Sequence, residues 1–284
     1  MYMPRPKTDP PSKKRTLDAA NHKERSPKPS KNAAERRRVK DENDAKSLKI
    51  FMYPPWRNRK VLITLCCNRQ KNIHFLYMSV HIIDHPLVLH KLSIMRNIDT
   101  PTSKFRQCLR EISMLMGYEI TRDFPLSYER IATPLQEMEA PKIAGKKVVI
   151  APILRAGLGM VDGLLELIPS ARVGHIGMYR DEETCQPVFY YYKMPENKDR
   201  LVILADPMLA TGGSACDAIS RLKKDGFKHI RMMALVASPK GVQAVSDAHP
   251  DVDIYLASID EGLNERNYIL PGLGDAGDRI FGTK

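Results

Sequence analysis

The sequence has no long hydrophobic run and no cysteine framework. Its best candidate for membrane insertion, Val61 to Cys67, has seven residues, far fewer than the ~20 that span a bilayer. The five cysteines include no Cys-x-x-Cys pair, which argues against a zinc framework and favours free thiols in a reducing compartment. Met1 to Lys7 lead into no apolar core, so we expect a cytoplasmic protein without a secretory signal.

Acidic residues are scarce only at the start of the chain. Residues 1–77 carry 20 Lys+Arg and 7 Asp+Glu, whereas residues 78–284 carry 25 and 26. The net charge of +12 therefore belongs to the first segment, whose basic and polar composition predicts a disordered extension. Arg36 to Arg38 are typical of a nuclear signal or an RNA-binding arm, but a solvated tail is the simpler interpretation.

Beyond Met78 the sequence becomes regular, and we expect the folded domain to span 78–284. Residues 1–77 are then either a dispensable extension or not part of the native protein. Amphipathic helices are predicted from Leu87 to Met95 and over 103–116. Apolar runs and helical patterns then alternate, which is typical of an α/β fold with an open parallel sheet and helices on both faces. The predicted strands are 147–153, 172–178, 201–205, 229–237 and 252–257, and the helices between them are about 157–168, 213–224 and 241–248.

The strand predicted over 201–205 ends in an acid and a glycine-containing loop. Asp206 follows the strand, and Thr211-Gly212-Gly213-Ser214 opens the next helix. Backbone amides and hydroxyls at a helix N-terminus can bind a phosphate monoester, and the acid can accept hydrogen bonds from sugar hydroxyls. The loop is not a Walker motif, because no lysine follows the glycines. A Gly-Gly after a strand, taken alone, is equally well explained by a turn and a helix cap.

The whole segment from Val202 to Ser214 resembles the phosphoribosyl pyrophosphate (PRPP) motif of type I phosphoribosyltransferases. Most of those enzymes have two consecutive acids at the strand end, whereas here Ala205 precedes a single acid. This variant is similar to the uracil phosphoribosyltransferase family. The resemblance implies a reaction of uracil with PRPP that yields UMP and pyrophosphate in pyrimidine salvage. It also implies a Mg²⁺ cofactor that is held mainly by PRPP, with Asp275 as a candidate protein contact.

Two arginines elsewhere match the family's contacts to PRPP. Arg155 lies between a predicted strand and a turn that contains Gly157. An isolated arginine there is more often a surface residue, but the similarity across 152–163 implies a pyrophosphate contact. Arg180 matches a second PRPP-binding arginine, within a predicted hairpin arm over 178–193. Closure of such an arm would exclude water from a reactive sugar cation.

The C-terminal segment has three glycines within 272–277, directly after Pro271, which disfavours regular helix or strand. Its composition fits a flexible tail, and it equally fits an exposed backbone that reads the edges of a small planar base. The segment is similar to the small uracil-binding hood of the family. That similarity implies that Ile269, Gly274, Asp275 and Ala276 contact uracil.

The resemblance thus assigns catalytic roles to Arg155, Arg180, Asp206 and Asp275. Its implied PRPP-binding set is Arg155, Arg180, Asp206, Pro207, Met208, Leu209, Ala210, Thr211, Gly212, Gly213, Ser214 and Asp275. We expect uracil and PRPP as substrates, a homodimer or higher homo-oligomer, and a nucleotide such as GTP as a candidate effector, with no membrane or nucleic-acid partner.

Two alternatives stay open. The first is a catalytically silent phosphoribosyltransferase-like domain that binds RNA or a partner through the basic segment. The second is a related enzyme for purines or orotate. Ala205 argues against purines, and the acid in the 274–276 loop argues against the negatively charged orotate.

Overall fold

The computed structural model describes residues 80–145, 148–180, 187–196 and 198–283, and the backbone alone of Lys60 and Val61. The strands are β1 (Lys60–Val61), β2 (Val80–Ile82), β3 (Leu126–Ala132), β4 (Glu137–Ile143), β5 (Val149–Leu154), β6 (Arg172–Val173), β7 (His175–Arg180), β8 (Pro187–Lys193), β9 (Leu201–Ala205), β10 (Met208–Leu209), β11 (His229–Ala237), β12 (Asp253–Ile259), β13 (Gly262–Leu263) and β14 (Ile269–Leu270). The helices are α1 (Pro86–Arg96), α2 (Thr102–Ile120), α3 (Val161–Leu167), α4 (Gly213–Lys224), α5 (Pro239–Ala248) and α6 (Ala276–Phe281), with a 3₁₀ helix over Ala156–Met160.

One large sheet has the strand order β1-β2-β12-β11-β9-β5-β7-β8. Its strands run parallel from β2 to β7, and the outer strands β1 and β8 are antiparallel to their neighbours. The predicted open parallel sheet is therefore confirmed. Of its two antiparallel edges, the one at β8 belongs to the predicted hairpin, whereas the one at β1 was not predicted. β5 and β9 are direct neighbours, and their register pairs Pro152 with Ala205. The loops that follow these two strands consequently start side by side.

Helices cover both faces of this sheet, which explains the continuous apolar runs of its central strands. In β9, Ile203 and Ala205 pack into one core, whereas Val202 and Leu204 pack into the other. The first core is closed by α1, α2, α3 and α6, and the second by α4 and α5. Among the described helices, none has the length and apolar character needed to cross a membrane.

The predicted helices are present, with changes at their ends. α1 begins at Pro86, directly after His85, whose Nδ1 accepts a hydrogen bond from the Leu87 amide at 3.2 Å. α2 continues four residues beyond its predicted end at 116, through Gly117 to Ile120. A Cβ on Gly117 would lie 2.8 Å from a Leu164 methyl, so the missing side chain allows α2 to approach α3 closely.

The hairpin prediction for 178–193 is met by the antiparallel pair β7 and β8, which forms one edge of the main sheet. Residues 181–186 between these strands lie outside the described residues. A second hairpin, β3 with β4, was not predicted. Nearly all of its side chains are exposed, so it has no buried face and no apolar alternation that would reveal it.

The disordered extension predicted over 1–77 lies outside the described residues, apart from two positions. The backbone of Lys60 and Val61 pairs with β2 at the edge of the sheet.

Candidate active site

The turn after β5 presents Arg155 beside the end of β9. Arg155 is the residue before the 3₁₀ helix, and its side chain is 60% exposed. A Cβ on Gly157 would lie 2.3 Å from the carbonyl oxygen of Ala205, so this turn packs directly on the last residue of β9. The predicted position of Arg155, between a strand and a glycine-containing turn, is confirmed. Its guanidinium is accessible to a ligand at the carboxyl edge of the sheet.

The loop over 206–214 is held in place by the main chain of β11. The Asp206 amide donates to the Met233 carbonyl at 3.1 Å, and the amides of Leu235 and Val236 both donate to the Pro207 carbonyl at 3.1 Å. The short strand β10 then pairs with the end of β11. The path of the chain from β9 toward α4 is therefore set by backbone hydrogen bonds within the sheet.

The start of α5 packs against the main chain of this loop at Leu209 and Ala210. Ser238 is fully buried; its hydroxyl donates to the Ala210 carbonyl at 2.5 Å and accepts from the Gly241 amide at 3.0 Å. A Cβ on Gly241 would lie 2.5 Å from the carbonyl oxygens of both Leu209 and Ala210. Ser238 was not among the predicted residues, although a serine before a proline at a helix start is a known cap signal.

α4 begins without a side-chain cap from its N-cap residue. Its N-cap is Gly212, which has no side chain and has a φ of 84°, in the left-handed region. The first amides of a helix have no partner within the helix and attract anions. Thr211 is partly exposed and Ser214 is exposed, so both hydroxyls lie near these amides at the surface. The arrangement can bind a phosphate group, as the sequence predicts.

Asp206 lies at the base of this loop, only partly exposed. Burial raises the pKa of its carboxyl to about 7, and a hydrogen bond from the Met208 amide at 3.3 Å only partly opposes that rise. The carboxyl therefore holds its proton to a higher pH than an ordinary aspartate does. Hydroxyl donors or a cation that approached it would favour the ionised form.

The segment over 269–276 comprises β14, an irregular loop over 271–275 and the first residue of α6. Gly274 and Asp275 are exposed, whereas the side chains of Ile269 and Ala276 are buried in the core. Those two residues can therefore offer only their backbone to a ligand. Asp275 caps α6, since its Oδ1 accepts from the Asp278 amide at 2.9 Å.

Arg155 brings the two loops to one edge of the sheet. Its Nη2 lies 3.4 Å from Oδ1 of Asp278 in α6, and a Cβ on Gly277 would lie 3.7 Å from the same Nη2. The 3₁₀ helix also packs on α6, because a Cβ on Gly159 would lie 3.2 Å from Ile280. One turn thus contacts both the end of β9 and the helix that follows the 269–276 loop. The contact with Asp278 was not predicted, since nothing in the sequence links residues so far apart.

Three further residues concern the site: Arg180 was predicted from the sequence, whereas Arg96 and Asp260 were not. The backbone of Arg180 ends β7, but its side chain lies outside the described residues, so its role stays a prediction. Arg96 and Asp260, which the sequence did not single out, form an ion pair beside the 269–276 loop. The only sequence signal for Asp260 is an acid placed directly after a buried strand.

The described carboxylates of the site are not grouped as the ligands of one metal ion. Within the part of the chain that the structure describes, no group of three or more His, Cys, Asp or Glu is placed to hold a metal ion. Asp206 and Asp275 stand on different loops. This donor set suits a hard cation such as Mg²⁺ that takes most of its oxygen ligands from substrate and water.

Comparisons with known proteins agree with this geometry. A sequence model of the family described as uracil phosphoribosyltransferase matches residues 82–283. The uracil phosphoribosyltransferase of Clostridium novyi (strain NT) is 62% identical over 203 residues, which cover 71% of this chain and 97% of that protein. The uracil phosphoribosyltransferase of Streptococcus suis (strain 05ZYH33) is 61% identical over 204 residues, 72% of this chain and 98% of that protein. The solved structure of the AQ2163 protein from Aquifex aeolicus aligns with a TM-score of 0.69 at 34% identity, over 72% of this chain and 99% of that one.

Proposed function

The chain belongs to the uracil phosphoribosyltransferase family, and we propose that the loops described above divide the two substrates between them. The enzyme is a pentosyltransferase, which converts uracil and PRPP into UMP and pyrophosphate. We call residues 206–214 the donor loop and residues 269–276 the base loop. The names of the curated relatives favour this activity over a catalytically silent RNA-binding domain.

The donor loop binds the ribose 5′-phosphate of PRPP. The amides at the start of α4 and the hydroxyls of Thr211 and Ser214 provide its hydrogen bonds. Asp206 accepts hydrogen bonds from the ribose hydroxyls and thereby orients the sugar. The carbonyl of Pro207 accepts hydrogen bonds from β11, and the side chain of Leu209 is buried. These two residues therefore maintain the conformation of the donor loop.

Arg155 and Arg180 bind the pyrophosphate that leaves. The bond from C1 of the ribose to the pyrophosphate oxygen breaks while the uracil nitrogen bonds to C1, and negative charge builds up on the leaving oxygen. The proton of that uracil nitrogen is released, and the departing pyrophosphate, whose charge has risen, can accept it. A cation already in place stabilises that charge without reorganisation at the moment of reaction. The exposure of Arg155 at the carboxyl edge of β5 supports this role.

The base loop reads uracil through its backbone. The carbonyl and imide edge of uracil needs hydrogen-bond donors and an acceptor in one plane, which main-chain groups can supply. The buried side chains of Ile269 and Ala276 support a backbone role, and Gly274 leaves its peptide groups accessible. Holding base and sugar together in this way supplies part of the acceleration.

Mg²⁺ completes the donor site in this proposal. Asp206 and Asp275 would contact the ion or its water ligands, with PRPP oxygens as the main ligands. When bound, the ion neutralises part of the pyrophosphate charge.

The phosphoribosyltransferase domain spans 78–284 in this proposal, and the protein acts in the cytoplasm as a homodimer or a higher homo-oligomer. The β3–β4 hairpin supports association, because it exposes large apolar side chains such as Tyr128 (67% exposed) and Leu135 (95% exposed). A nucleotide such as GTP stays a candidate effector, to be tested by adding it to the assay. Mass spectrometry of the natively expressed protein tests the extension, since a peptide from residues 1–40 would show that it is translated.

The observation that carries the proposal is the single turn from Arg155 to Met160, which contacts both the end of β9 and α6. The test is formation of UMP from uracil, PRPP and Mg²⁺, with cytosine, hypoxanthine and orotate assayed in parallel. We expect product from uracil alone among the four bases. Equal or faster turnover of orotate or hypoxanthine would contradict the assignment of the base loop.

A further inference from the structure

A buried ion pair connects α1 to the base loop. The guanidinium of Arg96, at the end of α1, donates to both carboxylate oxygens of Asp260, at 2.6 and 2.7 Å. The Asp260 side chain is 2% exposed and that of Arg96 is 23% exposed. Ser258 adds a hydrogen bond to Asp260 at 2.7 Å. Such bidentate pairs combine strength with a defined orientation.

The same pair binds both polar backbone groups of one glycine in the base loop. The Gly272 amide donates to Oδ2 of Asp260 at 2.9 Å, and its carbonyl accepts from Nη1 of Arg96 at 2.6 Å. Gly272 has a φ of 60°, and a Cβ there would lie 2.1 Å from the Ile269 carbonyl oxygen. The loop is thus held at Gly272 by two charge-assisted hydrogen bonds, one to each member of the ion pair.

A second arginine fastens Leu273, the residue after Gly272, to the end of the same helix. Arg279 donates to the Leu273 carbonyl at 2.9 Å, to the Asn97 carbonyl at 2.6 Å and to the Met95 carbonyl. Its guanidinium also stacks on the Phe105 ring, 4.5 Å from the centroid. The carbonyls at the end of α1 lack partners within the helix, so they are natural acceptors for this contact.

Asp260 stays ionised in this setting. Burial alone would raise its pKa, but the hydrogen bonds from Arg96 and Ser258 lower the pKa below its usual value. Replacement of one partner would leave the other charge buried without compensation, which is far more harmful than loss of a surface pair.

We propose that Arg96 and Asp260 are positioning residues for uracil: they touch neither substrate, but they hold Gly272 so that the base-loop backbone faces the base. This inference rests on the proposed assignment of the base loop. It predicts that loss of the pair weakens the enzyme toward uracil and leaves its affinity for PRPP nearly unchanged. The donor loop has its own anchors in β11 and Ser238. Within the described part of the chain, the side chains of Arg96 and Asp260 form hydrogen bonds with each other, with Ser258 and with Gly272, and with no residue of the donor loop.

The test compares Asp260→Asn with Asp123→Asn in the full chain. Asp123 is a control for the hydrogen-bond geometry, because it also accepts a bidentate pair from an arginine, Arg231, at 2.5 and 2.8 Å, and that arginine also donates to a backbone carbonyl. It differs in burial, since its side chain is 63% exposed and that of Asp260 is 2% exposed. We expect Asp260→Asn to raise the KM for uracil about ten-fold or more and the KM for PRPP less than two-fold. Asp123→Asn should alter neither constant, even where it lowers the melting temperature.

Two further measurements keep the inference testable if Asp260→Asn folds poorly. Arg96→Lys keeps the charge but offers a point donor, so it should give a smaller rise in the uracil KM. Hydrogen exchange of the ligand-free protein should become faster in peptides over 269–276 and stay unchanged over 206–214 for both site variants. Equal increases in the two KM values, or the same effect from Asp123→Asn, would overturn the inference.

Gly274→Ala separates this inference from the proposed function. Gly274 has a φ of 78°, which an alanine rarely adopts, so the variant perturbs the base loop directly. If it raises the KM for uracil while Asp260→Asn does not, only the positioning role fails. If neither variant changes the KM for uracil, the base-loop assignment itself is wrong.

Discussion

The donor loop and the base loop lie at the same edge of the sheet, but they are held there by different means. The donor loop is fastened by main-chain hydrogen bonds to β11 and by one buried hydroxyl, that of Ser238. The first residues of the base loop pair through the main chain as β14 with β13, but the loop is fastened at Gly272 by the side chains of Arg96 and Asp260, which lie 164 positions apart in the sequence. Main-chain contacts survive most substitutions, whereas a buried ion pair depends on both of its residues. The base loop is therefore the more vulnerable of the two to changes outside itself.

We expect the largest effect on activity from Arg155, whose side chain lies between the two loops, and not from the residues that anchor either loop. Arg155→Ala should lower kcat by about 10²–10³-fold, because it removes a fixed cation from the developing charge of the pyrophosphate. The melting temperature should stay within experimental error, since the side chain is 60% exposed and its ion pair with Asp278 is long, at 3.4 Å.

Steady-state kinetics and thermal unfolding of the same preparations measure both effects. Arg172→Ala, an exposed arginine at the other end of the sheet, serves as the control and should change neither. Parallel losses of activity and melting temperature in Arg155→Ala would show that the arginine is structural.

Two glycine variants should affect the two loops separately, with smaller effects than that of Arg155→Ala. Gly272→Ala places a Cβ against the Ile269 carbonyl, and Gly241→Ala places one against the carbonyls of Leu209 and Ala210. We expect the first to raise mainly the KM for uracil and the second mainly the KM for PRPP, each by about ten-fold, because each forces the adjacent loop to shift.

Gly145→Ala controls for backbone strain alone. Gly145 also has a positive φ, 78°, but no atom of the described residues lies within 4 Å of its Cβ position. It should cost some stability and leave both KM values unchanged. If Gly272→Ala and Gly241→Ala each raised both KM values equally, the loops would not be separately anchored.

The smallest effect concerns the stability of the donor loop without ligand. The pKa of Asp206 is about 7 in the folded protein, above the usual value near 3.9 for an unfolded chain. Between these two pH values the native state holds more protons than the unfolded state, so this carboxyl lowers stability progressively as pH rises. Asp206→Asn removes the ionisation and should raise the melting temperature by a few degrees at pH 8.

The pH dependence provides the check. The difference in melting temperature between Asp206→Asn and the parent protein should be small at pH 4, grow up to about pH 7 and then stay constant. Activity should fall, since the amide cannot replace the carboxylate toward the ribose and the cation. A difference that did not change with pH would mean that the carboxyl is not desolvated.

Much of the sheet and of the donor loop could be predicted, for related reasons. The strands 201–205 and 229–237 coincide with β9 and β11, because burial on both faces demands unbroken apolar runs. The donor loop is a single segment, so its phosphate-binding groups are contiguous in the sequence. The β3–β4 hairpin was missed because an exposed ribbon has no apolar period.

The sequence by itself determined the alternation of strands and helices, the phosphate-binding segment and the glycines of the base loop, since each is a local property of neighbouring residues. Only the tertiary structure decided which distant charges meet: Arg155 with Asp278, and Arg96 with Asp260. A single arginine or aspartate looks like a surface residue in a sequence, because its partner is chosen by the packing of elements far apart along the chain. The support of the base loop is therefore a property of the fold, whereas the chemistry of the donor loop can be read from its residues.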